Sequence, residues 1–228
     1  MYSGNSKITF ILAAAGIGKR MGLGYPKQFL EWKSKPLYIY PLEVAEKSSL
    51  VQEIIVVTGE ESLNVVKEHC EKYKITKVKA VVKGGSERQY SIENGLKIAN
   101  DENIIAVQDG VRPFMKERYL IEAMDRLKEN KELSGVIIGV PLKDTIKILD
   151  KEGNVKETPE RKYLFSTHTP QVFKGDILKK AYEKAREDKF LGTDDSSLVE
   201  RLGEKIGTII GDYDNIKITT QEDLKFLK

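Results

Sequence analysis

The chain carries one cysteine, Cys70, and two histidines, His69 and His168, among 228 residues. A single thiol excludes an internal disulfide and suits a reducing compartment. On a helix, adjacent His69 and Cys70 point to different faces, and Cys70 reads as a helix residue without chemistry. Lone histidines more often pack or face solvent than react, so both are expected to be non-catalytic. No Ser–His–Asp or Cys–His constellation stands out. Long apolar runs are also missing: nothing approaches the ~20 residues a membrane-spanning helix needs. Lys7, the apolar run 8–12 and Ala13-Ala14-Ala15 mimic a signal peptide, but a glycine-rich basic loop follows where a mature N-terminus should begin. The expectation is a cytoplasmic protein without a membrane partner. A surplus of one charge is lacking too, since 38 Lys and Arg against 35 Asp and Glu leave +3. With no basic stripe interleaved with aromatics, no nucleic-acid partner is expected.

What is present suits one domain with a real core: 40% hydrophobic and 32% charged residues in a chain of this length. Short apolar runs at 8–12, 54–58, 78–82, 104–108, 136–140, 206–210 and 216–219 read as strands. Helical patterns fall at about 36–47, 60–73, 88–98, 116–130, 176–187, 194–202 and 221–227. This alternation predicts an α/β fold, a mostly parallel twisted sheet with helices on both faces. Thr219-Thr220 followed by Glu222 and Asp223 marks the start of the last helix. The segment 144–173 breaks the rhythm. Residues 145–149 alternate, Asp150 to Gly153 form a turn, and 155–158 return, which predicts a hairpin. Within a single domain spanning 1–228, 144–173 reads as a protruding β-arm with little core of its own. Such an arm lies against another subunit, so a homodimer is expected.

In open α/β sheets, ligands bind beyond the carboxyl ends of the strands. After the first strand come Gly16-Ile17-Gly18 and Gly22 with Lys19, Arg20 and Lys27. The glycines formally resemble a dinucleotide fingerprint. A nicotinamide site, however, needs an acid about twenty residues on at the end of the second strand, and the next clear strand here ends far downstream at Thr58-Gly59. Tyr73 with Lys77, and Tyr213 with Lys217, also show reductase-like spacing, but chance suffices for both. Small residues followed by Arg20 and Lys27 suit gripping a nucleoside triphosphate; the alternative is two solvated surface charges. Lys83-Gly84-Gly85-Ser86-Glu87-Arg88 through Ser91 is a second glycine turn entering a helix, able to hold a base or ribose, or else an ordinary turn with a capping serine. Asp109-Gly110-Val111-Arg112-Pro113 ends a buried strand. There Asp109 is suited to a Mg2+ bridging phosphates and Arg112 to a bidentate phosphate grip; the alternative is a structural Asp–Arg pair. Thr145, Arg161 and His168-Thr169-Pro170-Gln171 in the arm, and Asp214 to Lys217 at the end, supply further donors.

Taken together, these residues resemble the 2-C-methyl-D-erythritol 4-phosphate cytidylyltransferase family. The likeness is carried by Ala14-Ala15-Gly16-Ile17-Gly18-Lys19-Arg20-Met21, Pro26-Lys27-Gln28, Gly84-Gly85 with Arg88 and Ser91, and Asp109 to Pro113. It continues through Pro141 to Lys147, Arg161, Thr169-Pro170-Gln171, Thr193-Asp194 and Asp214 to Lys217. The resemblance implies a Rossmann-like nucleotidyltransferase fold and transfer of CMP from CTP to 2-C-methyl-D-erythritol 4-phosphate, a sugar-alcohol phosphate, releasing pyrophosphate with Mg2+ required. It further implies that Arg20 and Lys27 stabilise charge on the α-phosphate and leaving pyrophosphate. Arg161 and Lys217 would orient the acceptor phosphate, with Arg112, Thr145 and Thr169 on the substrate side. Ala14, Ala15, Gly16, Gly85, Arg88 and Ser91 would hold the nucleotide, and Asp109 the metal or ribose. Arg161 and Thr145 would serve the neighbouring subunit. Four positions depart from the usual pattern: Ala13, Ser86, Gln108 and Val111. Val111 is shared with ribitol-5-phosphate cytidylyltransferases and keeps that acceptor as the alternative.

Overall fold

The computed structural model describes residues 7–16, 26–100 and 103–227. Strand β1 (Ile8–Ala14) is buried along nearly its whole length. Ile8, Phe10 and Leu12 face one side of it and Ile11 the other, the two-residue period of a pleated strand. There follow the hairpin β2 (Glu31–Trp32) and β3 (Lys35–Pro36), then α1 (Ile39–Lys47), β4 (Val51–Thr58), α2 (Leu63–Lys72), β5 (Val78–Lys83), α3 (Arg88–Leu96) and β6 (Ile104–Asp109). The second half contains α4 (Arg118–Glu129), β7 (Leu133–Pro141), β8 (Ile148–Leu149), β9 (Val155–Glu157), β10 (Phe165–Lys174), α5 (Gly175–Glu187), α6 (Asp195–Glu200) and β11 (Lys205–Ile210).

Among the described residues the main sheet has seven strands in the order β11-β7-β10-β6-β1-β4-β5. Every pairing is parallel except those of β10, which runs against both β6 and β7. Phe10, Leu12 and Val56 pack with α1, α2 and α4, while Ile11, Val57 and Val107 pack with α3, α5 and α6. Both faces are therefore covered, as a parallel sheet requires. Gly95 lets α3 lie close to the sheet: a Cβ there would stand 3.0 Å from Ile11 and 3.2 Å from Val57. From β1 the chain fills one side with β4 and β5, then crosses to β6 on the other. That reversal opens a crevice at the carboxyl ends of β1 and β6.

Three expectations need correcting. The arm is shorter than 144–173, because 165–173 belongs to β10, deep in the sheet with Val172 and Phe173 fully buried. Pro170 has no amide N–H to give to a ladder. The ladder with β7 shifts register between His168 and Gln171, and the Thr169–Pro170 bond is cis, so the proline sits in the interruption. Residues 216–219 form no strand; they run past the sheet, with the Ile218 amide donating to the Val111 carbonyl (2.9 Å) and Ile218 packed on Leu37. The last helix is a 3₁₀ helix, Gln221–Leu227, capped from inside its first turn: Asp223 Oδ2 accepts from the Thr219 (2.7 Å) and Thr220 (2.9 Å) amides.

The hairpin of the arm is present as β8 and β9. Asp150 Oδ1 accepts from the amides of Glu152 (3.1 Å) and Asn154 (2.8 Å), and Gly153 takes φ +89°, which glycine adopts at no steric cost. Ile148, Leu149 and Val155 on this hairpin are exposed. No helix among the described residues is long and apolar enough to cross a membrane.

Candidate active site

A cleft of about 540 Å³ opens where the topology puts the crevice, and three loops and one distant segment build it. The first contribution is the end of β1, where Ala14, Ala15 and Gly16 line the wall. Gln28 Nε2 donates to the Ala14 carbonyl (2.5 Å) and Thr58 Oγ1 to the same oxygen (3.3 Å), which fixes how the chain leaves the sheet. Lys27, only 9% exposed, faces the cleft beside Gln28. Arg20 lies outside the described residues.

The second contribution is the turn between β5 and α3, with Gly85, Arg88 and Ser91 lining the cleft. The Gly84 amide donates to the Thr58 carbonyl (2.7 Å), and a Cβ on Gly84 would collide with Ala15. Ser91 is used inside the turn: its hydroxyl accepts from the Gly85 amide (3.0 Å) and donates to the Glu87 carbonyl (3.0 Å). Ser91 is therefore tied into the turn from inside α3, whose N-cap is Glu87 without a side-chain cap, and the turn offers the cleft mainly backbone.

Asp109, at the end of β6, is the centre of charge. Oδ1 accepts from Arg88 Nε (3.1 Å), Oδ2 accepts from Lys217 Nζ (2.7 Å), and Arg112 Nε stands 3.8 Å from Oδ2. Its amide donates to Thr169 Oγ1 (3.0 Å). Burial acts to raise the pKa of this carboxyl, but Arg88, Lys217 and Arg112 outweigh it and hold the group well below the usual carboxylate range. Arg88 in turn is half-buried against two carboxylates, which hold it firmly protonated.

Arg112 and Thr169 do not line the cleft. Arg112 is 8% exposed and its Nη1 donates to the Asn215 carbonyl (2.7 Å), so the structural Asp–Arg pair is the arrangement present. Asn215 Nδ2 donates to the Thr169 carbonyl (3.1 Å), tying the segment that carries Lys217 to β10. Arg161 and Thr145 are exposed at the base of the arm, outside the cleft of their own chain; Arg161 Nη1 donates to the Lys143 carbonyl (2.7 Å). His168 is buried, and burial followed by the nearby Arg112 pushes its pKa down to about 4, which leaves it neutral near pH 7. Burial pushes the Cys70 thiol up to about 11, in keeping with an inert residue.

Lys27, Arg88 and Lys217 thus line the cleft with Asp109 and Glu87, and Arg112 stands behind Asp109, so the cations outnumber the carboxylates and suit a polyanion. No group of three potential metal-ligating side chains occurs among the described residues. Asp109 nonetheless fits a divalent ion, because a carboxylate has about four lone-pair positions and the hydrogen bonds from Arg88 and Lys217 occupy two of them. Magnesium commonly binds one carboxylate and completes its shell with phosphates and water.

Reading the sequence missed Asp195 and Tyr182. Arg88 donates to Asp195 through Nη1 (3.1 Å) and Nη2 (2.8 Å), across 107 positions of sequence. The only local sign was the capping box of Asp194 and Ser197, which marks the start of α6 without naming a partner.

A family model described as 2-C-methyl-D-erythritol 4-phosphate cytidylyltransferase matches residues 8–227. A protein of that description from Fusobacterium nucleatum is 53% identical over 233 residues, covering 100% of both chains. One from Alkaliphilus metalliredigens is 43% identical, covering 96% of this chain and 90% of that one. Among solved structures, the 4-diphosphocytidyl-2C-methyl-D-erythritol synthase of Anaerococcus prevotii superposes with a TM-score of 0.86 at 34% identity, covering 98% and 95%. The Francisella tularensis 2-C-methyl-D-erythritol 4-phosphate cytidylyltransferase gives 0.81 at 26% identity, covering 97% and 98%.

Proposed function

This chain belongs to the 2-C-methyl-D-erythritol 4-phosphate cytidylyltransferase family, and from that premise we propose that it transfers CMP from CTP to 2-C-methyl-D-erythritol 4-phosphate. The products are 4-diphosphocytidyl-2-C-methyl-D-erythritol and pyrophosphate, a step of isoprenoid precursor biosynthesis. The observation that carries this reading is the cationic cleft around Asp109 at the carboxyl ends of β1 and β6.

The acceptor phosphate is already an anionic nucleophile, so no general base is needed. The difficulty is bringing two polyanions together: at ~4 Å and an effective dielectric of about 20, each pair of unit charges repels by ~4 kcal/mol. Lys27, with Arg20, is assigned to the α-phosphate and the leaving pyrophosphate. Lys217 is assigned to the acceptor phosphate. Lys27, held by burial, and Lys217, held by Asp109, need little rearrangement as charge builds up, which makes catalysis a matter of position and electrostatics. Ala14, Ala15, Gly16 and Gly85 offer the nucleotide close backbone approach, and Arg88 bounds the same wall. Arg112 and Thr169 act through Asp109 by fixing its position. Asp109 would hold Mg2+, which when bound neutralises phosphate charge.

Arg161 and Thr145 are assigned to the acceptor site of a neighbouring subunit in a homodimer, with the arm as the contact. Their exposure on their own chain and the exposed Ile148, Leu149 and Val155 support that assignment. The protein is assigned to the cytoplasm, with neither nucleic acid nor membrane as partner.

The test is pyrophosphate release from CTP and Mg2+ with each of two acceptors. Release with 2-C-methyl-D-erythritol 4-phosphate is expected. Release only with ribitol 5-phosphate would replace the acceptor, a substitution that Val111 in the cleft wall makes worth testing. Silence with both would overturn the reading.

A further inference from the structure

Behind the cleft lies a buried polar chain to which no role has been given. Asp195, the first residue of α6, is 0% exposed, and Tyr182 of α5 is 3% exposed. The Tyr182 hydroxyl donates to Asp195 Oδ1, and Asp195 receives both terminal nitrogens of Arg88, whose Nε donates to Asp109. Three helices on one face of the sheet thus meet at one carboxylate. Burying a carboxylate is unfavourable unless it is paired and hydrogen-bonded, and packed apolar side chains would hold α3, α5 and α6 together at least as well. What an ion pair adds is direction: a bidentate Arg–carboxylate contact fixes the plane of the guanidinium, which a point charge or an apolar contact cannot do.

We infer that Asp195, itself held by Tyr182, is a positioning residue for nucleotide binding: it locks Arg88 so that Arg88 forms a rigid wall of the cleft and keeps Asp109 in place. Without Asp195, two of the three hydrogen bonds on the Arg88 guanidinium are lost, and Asp109 becomes its sole carboxylate partner in the cleft. The guanidinium then swings toward Asp109, and the wall meant for the nucleotide is misplaced. The effect falls on CTP, since Arg88 and the cleft wall belong to the nucleotide side. This inference rests on the function proposed above.

The experiment is steady-state kinetics of pyrophosphate release with CTP, 2-C-methyl-D-erythritol 4-phosphate and Mg2+, alongside thermal melts. Asp195→Asn is expected to raise KM for CTP by about tenfold, with kcat changed less than about threefold. Tyr182→Phe removes only the outer hydrogen bond and is expected to raise the same KM by about threefold. In an Arg88→Ala background, Asp195→Asn should add less than about twofold, because its effect passes through Arg88. A purely structural role would lower Tm and act equally in both backgrounds. An active wild type whose folded Asp195→Asn variant keeps the wild-type KM for CTP would overturn the inference. So would an undiminished effect in the Arg88→Ala background. Should Asp195→Asn fail to fold, an unchanged KM in Tyr182→Phe is the overturning result. A wild type that releases no pyrophosphate would instead overturn the function, and the inference would fall with it.

Discussion

The cleft and the arm use the same kinds of side chain under opposite conditions. In the cleft, Asp109 is 5% exposed, and Arg88 and Lys217 hydrogen-bond its carboxylate while Thr169 receives its amide. In the arm, Arg161 meets one backbone carbonyl of its own chain, Thr145 faces solvent, and the hairpin pairs over only a few residues. Low dielectric and close packing make each interaction in the cleft strong and directional. The arm has neither, and its cation is held in its own chain only through the Lys143 carbonyl. In the proposed homodimer, the difference would separate groups positioned by folding from groups positioned by assembly.

The strongest way to break this comparison is Lys27→Ala, or Arg20→Ala. Each should lower kcat by about two or more orders of magnitude, the ~2.7–4 kcal/mol typical of a preorganised charge stabiliser. Weaker CTP binding with turnover preserved would show that the cleft binds without catalysing. Arg161→Ala sharpens the other half. Mixed with the Lys27→Ala protein under conditions that exchange subunits, it should restore activity well above either variant alone, because one site of each mixed dimer is then intact. Mixtures no better than the average of the two would place Arg161 in its own subunit's site.

Next comes His168, whose pKa is lowered from 6.5 to about 4 by burial and then by Arg112. The unfolded state takes up its proton first, so stability is complete above about pH 6.5 and falls as pH drops toward 4, by up to about 3 kcal/mol. Denaturant melts across that window should show the decline, and His168→Gln should flatten it. Asp109 contributes no such loss there: its carboxyl is held down by its cations, so what it adds persists until the pH falls below the ordinary carboxylate range. The smallest effect is expected at the tip of the arm. Gly153→Ala, at φ +89°, should cost about 1 kcal/mol or less in Tm-derived stability and leave KM for CTP unchanged. A changed KM would mean that the tip reaches a nucleotide site.

Most of the sheet was legible because short apolar runs between amphipathic helices announce themselves, as β1 and α4 do. β10 was not, since 165–173 read as part of the protruding arm, and its ladders with β6 and β7 exist only in the folded chain. The isolated strand read at 216–219 failed because an apolar stretch needs a neighbouring ladder, and the Ile218 backbone pairs with the loop after β6 while its side chain packs on Leu37. Glycine turns and the cations near them pointed to the cleft. They did not distinguish Ser91 as part of the turn from Ser91 as a ligand, nor Arg112 behind Asp109 from Arg112 in the cleft wall. Those choices depend on which donor finds which acceptor.

By itself, the order of apolar and polar residues determined that a mostly parallel sheet would form, and that its loops would bring small residues and cations to one edge. Period and chain direction are local properties, readable without a partner. Only the folded chain decided that Arg88 would stand between Asp109 and Asp195, and that β10 would run through the sheet and not out into the arm. Pairing across 107 positions is settled by the cost of leaving buried charges alone, and that cost exists only once the surrounding helices have excluded water.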